Sequence, residues 1–262
     1  MPIQLAPVPT NPLFSGYTWT LRDEDELARL VALVFLGRFL HVEKILLRLK
    51  PKSVFLKVDA AQEAKIKLTV KAGQDPWHRD GLLFQAISWI AAHKASSTGT
   101  SVFSLPHQIP AHKGFDGLQI DLDKKRRLTG LIVFEDKATD NPRATIKNDV
   151  WPELDRLHKD GRQTELMQEM TALLQRAQVA DPDEVIEGVV WKKIRRFRVS
   201  ITGAVGHDAE PQLSKLFKGY DEIIPGKDVA VRRGEVICFS DLRPWMRQFA
   251  KKVKSAIDQE AS

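Results

Sequence analysis

Apolar residues recur along the chain at two different spacings, and the change of spacing predicts the order of helices and strands. From Leu27 to Phe35 the apolar positions are three and four residues apart behind an acidic start at 23–26, which predicts a buried helix. A second helix is predicted from Asp75-Pro76 to about His93, because an aspartate cap followed by proline suits a first helical turn.

Between these helices, residues 64–70 alternate apolar residues with lysine or threonine, which predicts an amphipathic strand. Its lysine face could contact nucleic acid, but lysines commonly shield exposed strands, so we interpret it as a solvent-facing side. Residues 1–18 contain four prolines and little periodicity, which predicts an extended surface arm.

The second half of the chain alternates helix-cap signals with runs of strand-like spacing. Proline at 152 is expected to break or kink the first helix of this half, since proline removes a backbone hydrogen bond. The predicted elements are helices over 142–151, over 165–178 and from Asp181-Pro182 to Trp191, a strand over 192–201, short strands over 229–239, and a basic helix after Ser240 or Asp241.

A hairpin is predicted in the middle of the chain. Four consecutive apolar residues, 131–134, indicate a strand buried on both faces, and the strand ends in Glu135-Asp136-Lys137. Centring the turn on Lys125 and Arg126 pairs Leu118 with Val133 and Ile120 with Leu131. The same register places Asp116 opposite Glu135.

This register brings two carboxylates and an ammonium together, since Lys137 shares a face with Glu135 by the period of two. Mg²⁺ prefers oxygen ligands, usually one or two carboxylates with water and phosphate, and a nearby lysine can orient the attacking water. The alternative is a salt pair at an exposed strand end, which stabilises very little. The hairpin register with Asp116 favours the metal site.

Residues Gly114 to Lys137 resemble the PD-(D/E)XK, or restriction-endonuclease-like, nuclease superfamily. Asp116 matches its first aspartate and 135–137 its Glu-x-Lys, while Phe115 and the charged Asp136 differ from the common pattern. The order helix, hairpin, helix, strand is similar to the αβββαβ core of that superfamily over about 75–205. The resemblance implies an α/β fold with a mixed central sheet flanked by helices, with 1–74 and 206–262 as additions.

The resemblance also implies a Mg²⁺-dependent deoxyribonuclease in which Mn²⁺ substitutes. Asp116, Glu135 and the backbone carbonyl of Asp136 would bind the metal, and Lys137 would position the water. Gln85 is a catalytic candidate, because the helix before the hairpin often presents Glu or Gln to the metal in this superfamily. A local hydrogen bond on the helix surface is an equal alternative for Gln85, which belongs to a small, polar stripe with Gly81, Ser88 and Ala92.

Five cations are candidates for contact with nucleic acid: Lys113, Arg143, Lys147, Arg196 and Arg198. Two of them, Arg143 and Lys147, are four residues apart on the helix that follows Glu-x-Lys, where helix N–H groups and cations suit a phosphate. The basic strand at 192–201 could border a DNA groove or protect a sheet edge. In each case a solvated charged face is the alternative.

Composition restricts the function further. The net charge of +6 favours a polyanionic partner, and 43% hydrophobic residues in 262 can fill one large core. The one cysteine, Cys238, excludes an internal disulfide, and His107 and His112 lack zinc-ligand spacing. No nucleotide-motor, dinucleotide or serine-hydrolase motif is present. We expect a cytoplasmic protein without a membrane span.

The partners implied are DNA and a motor or sensor subunit of a prokaryotic restriction or anti-phage system, with homodimerisation through the additions as a further candidate. A non-catalytic nucleic-acid-binding or assembly subunit with a degenerate nuclease core is the alternative function.

Overall fold

The computed structural model describes residues 1–50, 58–96, 100–107, 114–159, 161–183, 185–186 and 195–261. A seven-stranded mixed sheet crosses the molecule and carries helices on both faces, so the expected α/β class is confirmed. The sheet contains strands from the predicted core, 75–205, and from both predicted additions, 1–74 and 206–262.

The strands and helices are numbered in chain order. The strands are β1 Ile3–Pro7, β2 Ser15–Leu21, β3 Ser101–Phe103, β4 Gly117–Leu122, β5 Leu128–Lys137, β6 Arg195–Ala204 and β7 Arg232–Phe239. The helices are α1 Glu24–Phe35, α2 Phe39–Leu46, α3 Val58–Lys67, α4 Trp77–Ala95, α5 Pro142–Thr145, α6 Trp151–His158, α7 Gln163–Arg176, α8 Gln212–Leu216, α9 Tyr220–Ile223 and α10 Leu242–Glu260. A π turn, Ile146–Val150, joins α5 to α6, and a 3₁₀ turn, Val229–Val231, precedes β7.

The strand order is β1-β2-β7-β6-β5-β4-β3. The four central strands β2, β7, β6 and β5 are parallel to one another. Strands β3, β4 and β5 form an antiparallel meander, and β1 is antiparallel to β2. The connection from β5 to β6 carries α5, α6 and α7, as a parallel pair requires a long crossover.

Each face of the sheet has its own core. On one face α1, α4 and α10 pack on Trp19, Ile132, Phe134 and Ile237. On the other face α6 and α7 pack on the side chains that alternate with these, including Val133 and Val199. Because both faces are covered, the central strands are nearly continuously apolar, as residues 131–134 predict.

The predicted hairpin is confirmed in its register. Leu118 pairs with Val133 and Ile120 with Leu131, and the register shifts only between Asp121 and Leu122. The predicted helices at 27–35 and 75–93 are also confirmed, as α1 and α4.

Two sequence predictions for the first 74 residues are wrong. The expected arm contains β1 and β2, which complete the edge of the sheet beside β7. Most of the expected strand at 64–70 lies in helix α3. Ala61 and Ala64 in the helix and Leu68 directly after it are buried at helical spacing, while Ile66 is 62% exposed. The helical spacing of the buried positions is formed partly by small alanines, which are a weak apolar signal. The alternation of Ile66 with lysines is more conspicuous in the sequence and suggests a strand.

Predictions in the second half are met with some shifts. The helix from Pro142 is not broken at Pro152 but continues to His158, and the π turn ends at Val150, two residues before the proline. The helix expected from Asp181 to Trp191 lies largely outside the described residues, as do Lys113 and His112. Within the described ranges, no helix is both long enough and apolar enough to cross a membrane.

Candidate active site at the ends of strands β4 and β5

A cavity of about 280 Å³ opens where β5 ends beside the N-terminal half of α4. Two of the predicted catalytic carboxylate and ammonium groups, Asp116 and Lys137, line it together with Gln85. The rest of its lining comes from α4, from the end of β5 and from the segments next to β4 and β5: Trp77, His78, Gly81, Leu82, His107, Asp136 and Ala138.

Asp116 directly precedes β4 and is held from two directions. Gln85 donates a hydrogen bond from Nε2 to Asp116 Oδ1 at 2.5 Å, and the backbone N–H of Asp136 donates to Asp116 Oδ2 at 2.8 Å. Both carboxylate oxygens are therefore oriented by neighbours on different elements. Gln85 reaches the site as the sequence predicts, and its described contact is with the carboxylate.

Glu135 lies near the end of β5 and forms an ion pair with Lys137, whose Nζ is 2.6 Å from Glu135 Oε1 and 3.8 Å from Asp116 Oδ2. One ammonium thus contacts both carboxylates. Burial raises the pKa of Glu135 to about 7, and the nearby charge of Asp116 adds to this rise while Lys137 opposes it. Burial lowers the pKa of Lys137, but Glu135 and Asp116 outweigh it and raise that pKa overall.

Asp136 points to the opposite face of the sheet from Glu135, as alternation along a strand requires. Its side chain is buried and accepts a hydrogen bond from Ser88 Oγ of α4 at 2.7 Å. Burial raises the pKa of Asp136 to about 7, against the lowering effect of Arg198. The predicted role of Asp136 uses its carbonyl, which faces the same neighbouring strand as the N–H bonded to Asp116.

Arg198 is a correction to the predicted nucleic-acid contacts. It lies in β6 beneath α4 and is 0% exposed. Its guanidinium donates to Glu235 Oε2 at 2.8 Å and to Ser88 Oγ at 2.9 Å, and lies 4.5 Å from the ring centre of Phe134. Strand β6, which holds residues 195–201 of the predicted basic strand, is central in the sheet and not at its edge, so Arg198 balances a buried carboxylate and is not available to DNA.

The other predicted contacts are spread over the surface. Lys147 is exposed, whereas Arg143 donates to the carbonyls of Leu216 at 3.0 Å and Lys218 at 2.8 Å. Arg196 is paired across the sheet with Ile132, several residues before the end of β5, and is therefore remote from Lys137. Lys113 lies outside the described residues.

Sequence reasoning missed two residues at the mouth of the cavity, Trp77 and His78. A signal for His78 exists, since it extends the stripe of Gly81, Gln85 and Ser88 by three residues toward the helix start. Trp77 has no such signal, because a tryptophan at a helix start is usually read as core; here it is 64% exposed. His107, which lacks zinc-ligand spacing in the sequence, contacts the Phe115 carbonyl at 2.6 Å.

The donor set fits a hard cation. Asp116 and Glu135 supply carboxylate oxygens, the ligands that Mg²⁺ and Mn²⁺ prefer, and an ammonium already sits between them as a positive charge. In the part of the chain that the structure covers, no three His, Cys, Asp or Glu side chains form a complete metal cluster, so water or substrate would supply the remaining ligands. No protein-family model, curated protein or solved structure matches this chain. The chemistry inferred for the site therefore rests on the residues of this chain alone.

Proposed function

We propose that the protein is a Mg²⁺-dependent nuclease that hydrolyses DNA phosphodiester bonds. The observation that carries the proposal is the convergence of Asp116 and Glu135 on Lys137 beside an open cavity. Two carboxylates and a lysine at one end of a hairpin suit metal-assisted attack of water on a phosphate.

The topology supports the same proposal. Helix α4, the meander β3-β4-β5, the crossover helices and the parallel strand β6 follow the order helix, three strands, helix, strand. This is the order expected from the resemblance to PD-(D/E)XK nucleases. Strands β1, β2 and β7 and helix α10 are additions to that core.

In the proposed mechanism Asp116 and Glu135 would hold the metal ion, and the backbone carbonyl of Asp136 would be a further ligand. A bound Mg²⁺ would polarise the phosphate and lower the pKa of a bound water. Gln85 and the backbone N–H of Asp136 fix the orientation of the Asp116 carboxylate. Lys137 orients the attacking water and stabilises the negative charge that develops on the phosphate in the transition state.

The mouth of the cavity suits a nucleic acid. Trp77 presents an exposed ring at the start of α4, where it can stack on an unpaired base, and such stacking tolerates any sequence. The net charge of +6 favours association with a polyanion. A motor or sensor subunit that controls the cleavage is a further part of the proposal and follows from the resemblance alone.

The test is cleavage of supercoiled plasmid by the purified protein in Mg²⁺ or in EDTA, with Glu135→Ala and the exposed-site control Glu222→Ala. We expect nicking that needs the metal, persists in Glu222→Ala and is abolished in Glu135→Ala. Plasmid that is bound but never cut, with or without Mn²⁺, would support the alternative of a non-catalytic nucleic-acid-binding subunit. Activity that survives in Glu135→Ala would remove this site as the active centre.

A further inference from the structure

A second cavity, of about 430 Å³, lies at the other end of the sheet. Four of its lining side chains project from neighbouring strands: Tyr17 from β2, Arg233 from β7, Arg196 from β6 and Ile132 from β5. Ile132 is five residues before Lys137 in the same strand, so the two cavities are separated by roughly 16 Å along β5. The second cavity is therefore distinct from the candidate active site.

The cavity is positively charged on one side. Arg196 and Arg233 both line it, and none of the lining side chains that the structure describes is acidic. The Arg196 side chain is 41% exposed, and its one ion-pair contact among the described residues is Asp121 at 3.9 Å, longer than a hydrogen bond. Its guanidinium is therefore available to a ligand.

Arg233 is only partly neutralised. Its Nε donates to Glu235, but the same carboxylate also accepts two hydrogen bonds from Arg198, so one anion serves two guanidiniums. The Arg233 Nη2 atom finds no hydrogen-bond partner among the described residues. Because Nη2 is enclosed by the protein, it leaves the Arg233 guanidinium with an incompletely satisfied positive charge beside the cavity.

The opposite wall of the cavity is built rigidly from the loop between β1 and β2. Val8 donates its backbone N–H to the Gly16 carbonyl at 3.0 Å, and Arg232 Nε donates to the Leu13 carbonyl at 2.6 Å. Gly16 has a φ of +143°, and a Cβ there would lie 2.0 Å from the Gly234 carbonyl oxygen, so only glycine fits this close approach. The cavity is therefore preformed and does not need a ligand to fold it.

We propose that this cavity binds a small organic phosphate of about the size of a nucleoside monophosphate. A phosphate monoester carries nearly two negative charges at neutral pH, which match two guanidiniums better than a single carboxylate would. The apolar wall of Pro9, Tyr17 and Ile132 receives the body of the ligand. The volume lies within the range of small-molecule sites.

The test is isothermal titration of the full-length protein, in EDTA and at fixed ionic strength, with AMP, adenosine and inorganic phosphate as probes. Three variants separate the sites: Arg196→Ala removes one cation, Ala230→Trp obstructs the cavity without changing charge, and Lys137→Ala alters only the candidate active site. Arg156→Ala, which removes an exposed arginine elsewhere, is the matched control for Arg196→Ala.

We expect AMP to bind more tightly than either adenosine or phosphate, because adenosine lacks the phosphate and inorganic phosphate lacks the apolar body. Arg196→Ala and Ala230→Trp should each weaken AMP binding by about tenfold or more, while Lys137→Ala and Arg156→Ala leave it unchanged. The proposal is overturned if AMP does not bind at millimolar concentration, or if both cavity variants bind like wild type. AMP binding that is lost only in Lys137→Ala would place the ligand at the other site and would equally overturn it.

Discussion

The backbone N–H of Asp136 donates a hydrogen bond to the carboxylate of Asp116, 2.8 Å away, across the open end of the hairpin. The ladder between β4 and β5 ends at the pair Gly117 and Phe134 on this side, so the hydrogen bond joins the residue before Gly117 to the second residue after Phe134 and extends the contact between the strands. The position of Asp116 is thus fixed by the strand that carries Glu135 and Lys137. The Asp116 carboxylate is thereby tied to the backbone of the strand that carries Glu135, the other carboxylate predicted to bind the metal.

Replacement of Lys137 separates chemistry from binding. In the proposed mechanism its ammonium stabilises charge that develops mainly in the transition state, so Lys137→Ala should bind DNA nearly normally but cut it slowly. We expect the cleavage rate to fall by roughly 10²-fold or more, with an affinity change no larger than one phosphate contact. Single-turnover cleavage and DNA binding in EDTA measure the two quantities. A wild-type rate in a preparation free of contaminating nuclease would return Lys137 to the role of a salt-paired strand end.

Metal binding is testable without any activity. If Asp116 and Glu135 hold Mg²⁺ only in the folded state, Mg²⁺ at 100 times its Kd should stabilise the protein by about 2.7 kcal/mol. For a chain of this length that corresponds to a rise in Tm of roughly 5–10 °C. Asp116→Asn should abolish the rise, whereas Asp149→Asn, an exposed carboxylate on the π turn, should keep it. An equal rise in both variants would place the ion elsewhere.

The hairpin could be predicted from sequence because its information is local. A symmetric polar turn and the alternation of Leu118 and Ile120 with polar residues are sufficient to fix the register, and the register places Asp116 near Glu135. The stripe on α4 similarly predicts that Gln85 faces the site. Each of these inferences depends only on the spacing of residues within one element or across one turn.

The burial of Arg198 and the first two strands could not be predicted, because both depend on which strands are neighbours in the sheet. In the sequence, Arg198 alternates with apolar residues as a surface arginine in an edge strand would. Only the positions of β7 and α4 show that it is buried against Glu235 and Ser88. The first strands were missed for the same reason, since β2 pairs with β7 more than 200 residues later. Long-range pairing leaves no local signal.

Glu235 should give the fold a specific dependence on pH. Burial alone would raise its pKa, but Arg198 and Arg233 outweigh burial and hold the pKa of this carboxyl below its ordinary value of 4.5. The folded state therefore binds fewer protons than the unfolded state near and below pH 4.5, so the stabilisation is complete above that pH and is lost as pH falls.

The measurement is the free energy of urea unfolding between pH 3 and 7 for wild type, Glu235→Gln and the exposed control Glu222→Gln. Glu235→Gln leaves Arg198 and Arg233 without their anion, so we expect a loss of about 3–5 kcal/mol at pH 7. That difference from wild type should shrink below pH 4.5, while Glu222→Gln stays close to wild type throughout. A difference that is constant across the pH range would contradict the lowered pKa of Glu235.

The two helix cations predicted to contact phosphates should behave differently from each other. Lys147 is exposed, so in the proposed complex with DNA it is able to reach a phosphate, and Lys147→Ala should reduce the salt dependence of DNA affinity by about 0.9 in slope. Arg143 is already bonded to the carbonyls of Leu216 and Lys218, which anchor α5 to the end of α8. Arg143→Ala should therefore change the slope less.

Stability separates the two variants in the opposite sense. Removing Arg143 deletes its hydrogen bonds to the carbonyls of Leu216 and Lys218, each of which stabilises the fold by about 0.5–1.5 kcal/mol, whereas removing an exposed lysine costs little. The two experiments form a crossed design: binding titrations across a range of salt concentrations for Lys147→Ala, Arg143→Ala and wild type, and urea unfolding for the same three proteins. If Arg143→Ala flattens the salt slope as much as Lys147→Ala does and leaves stability unchanged, its guanidinium leaves the carbonyls of Leu216 and Lys218 to bind phosphate when DNA is present.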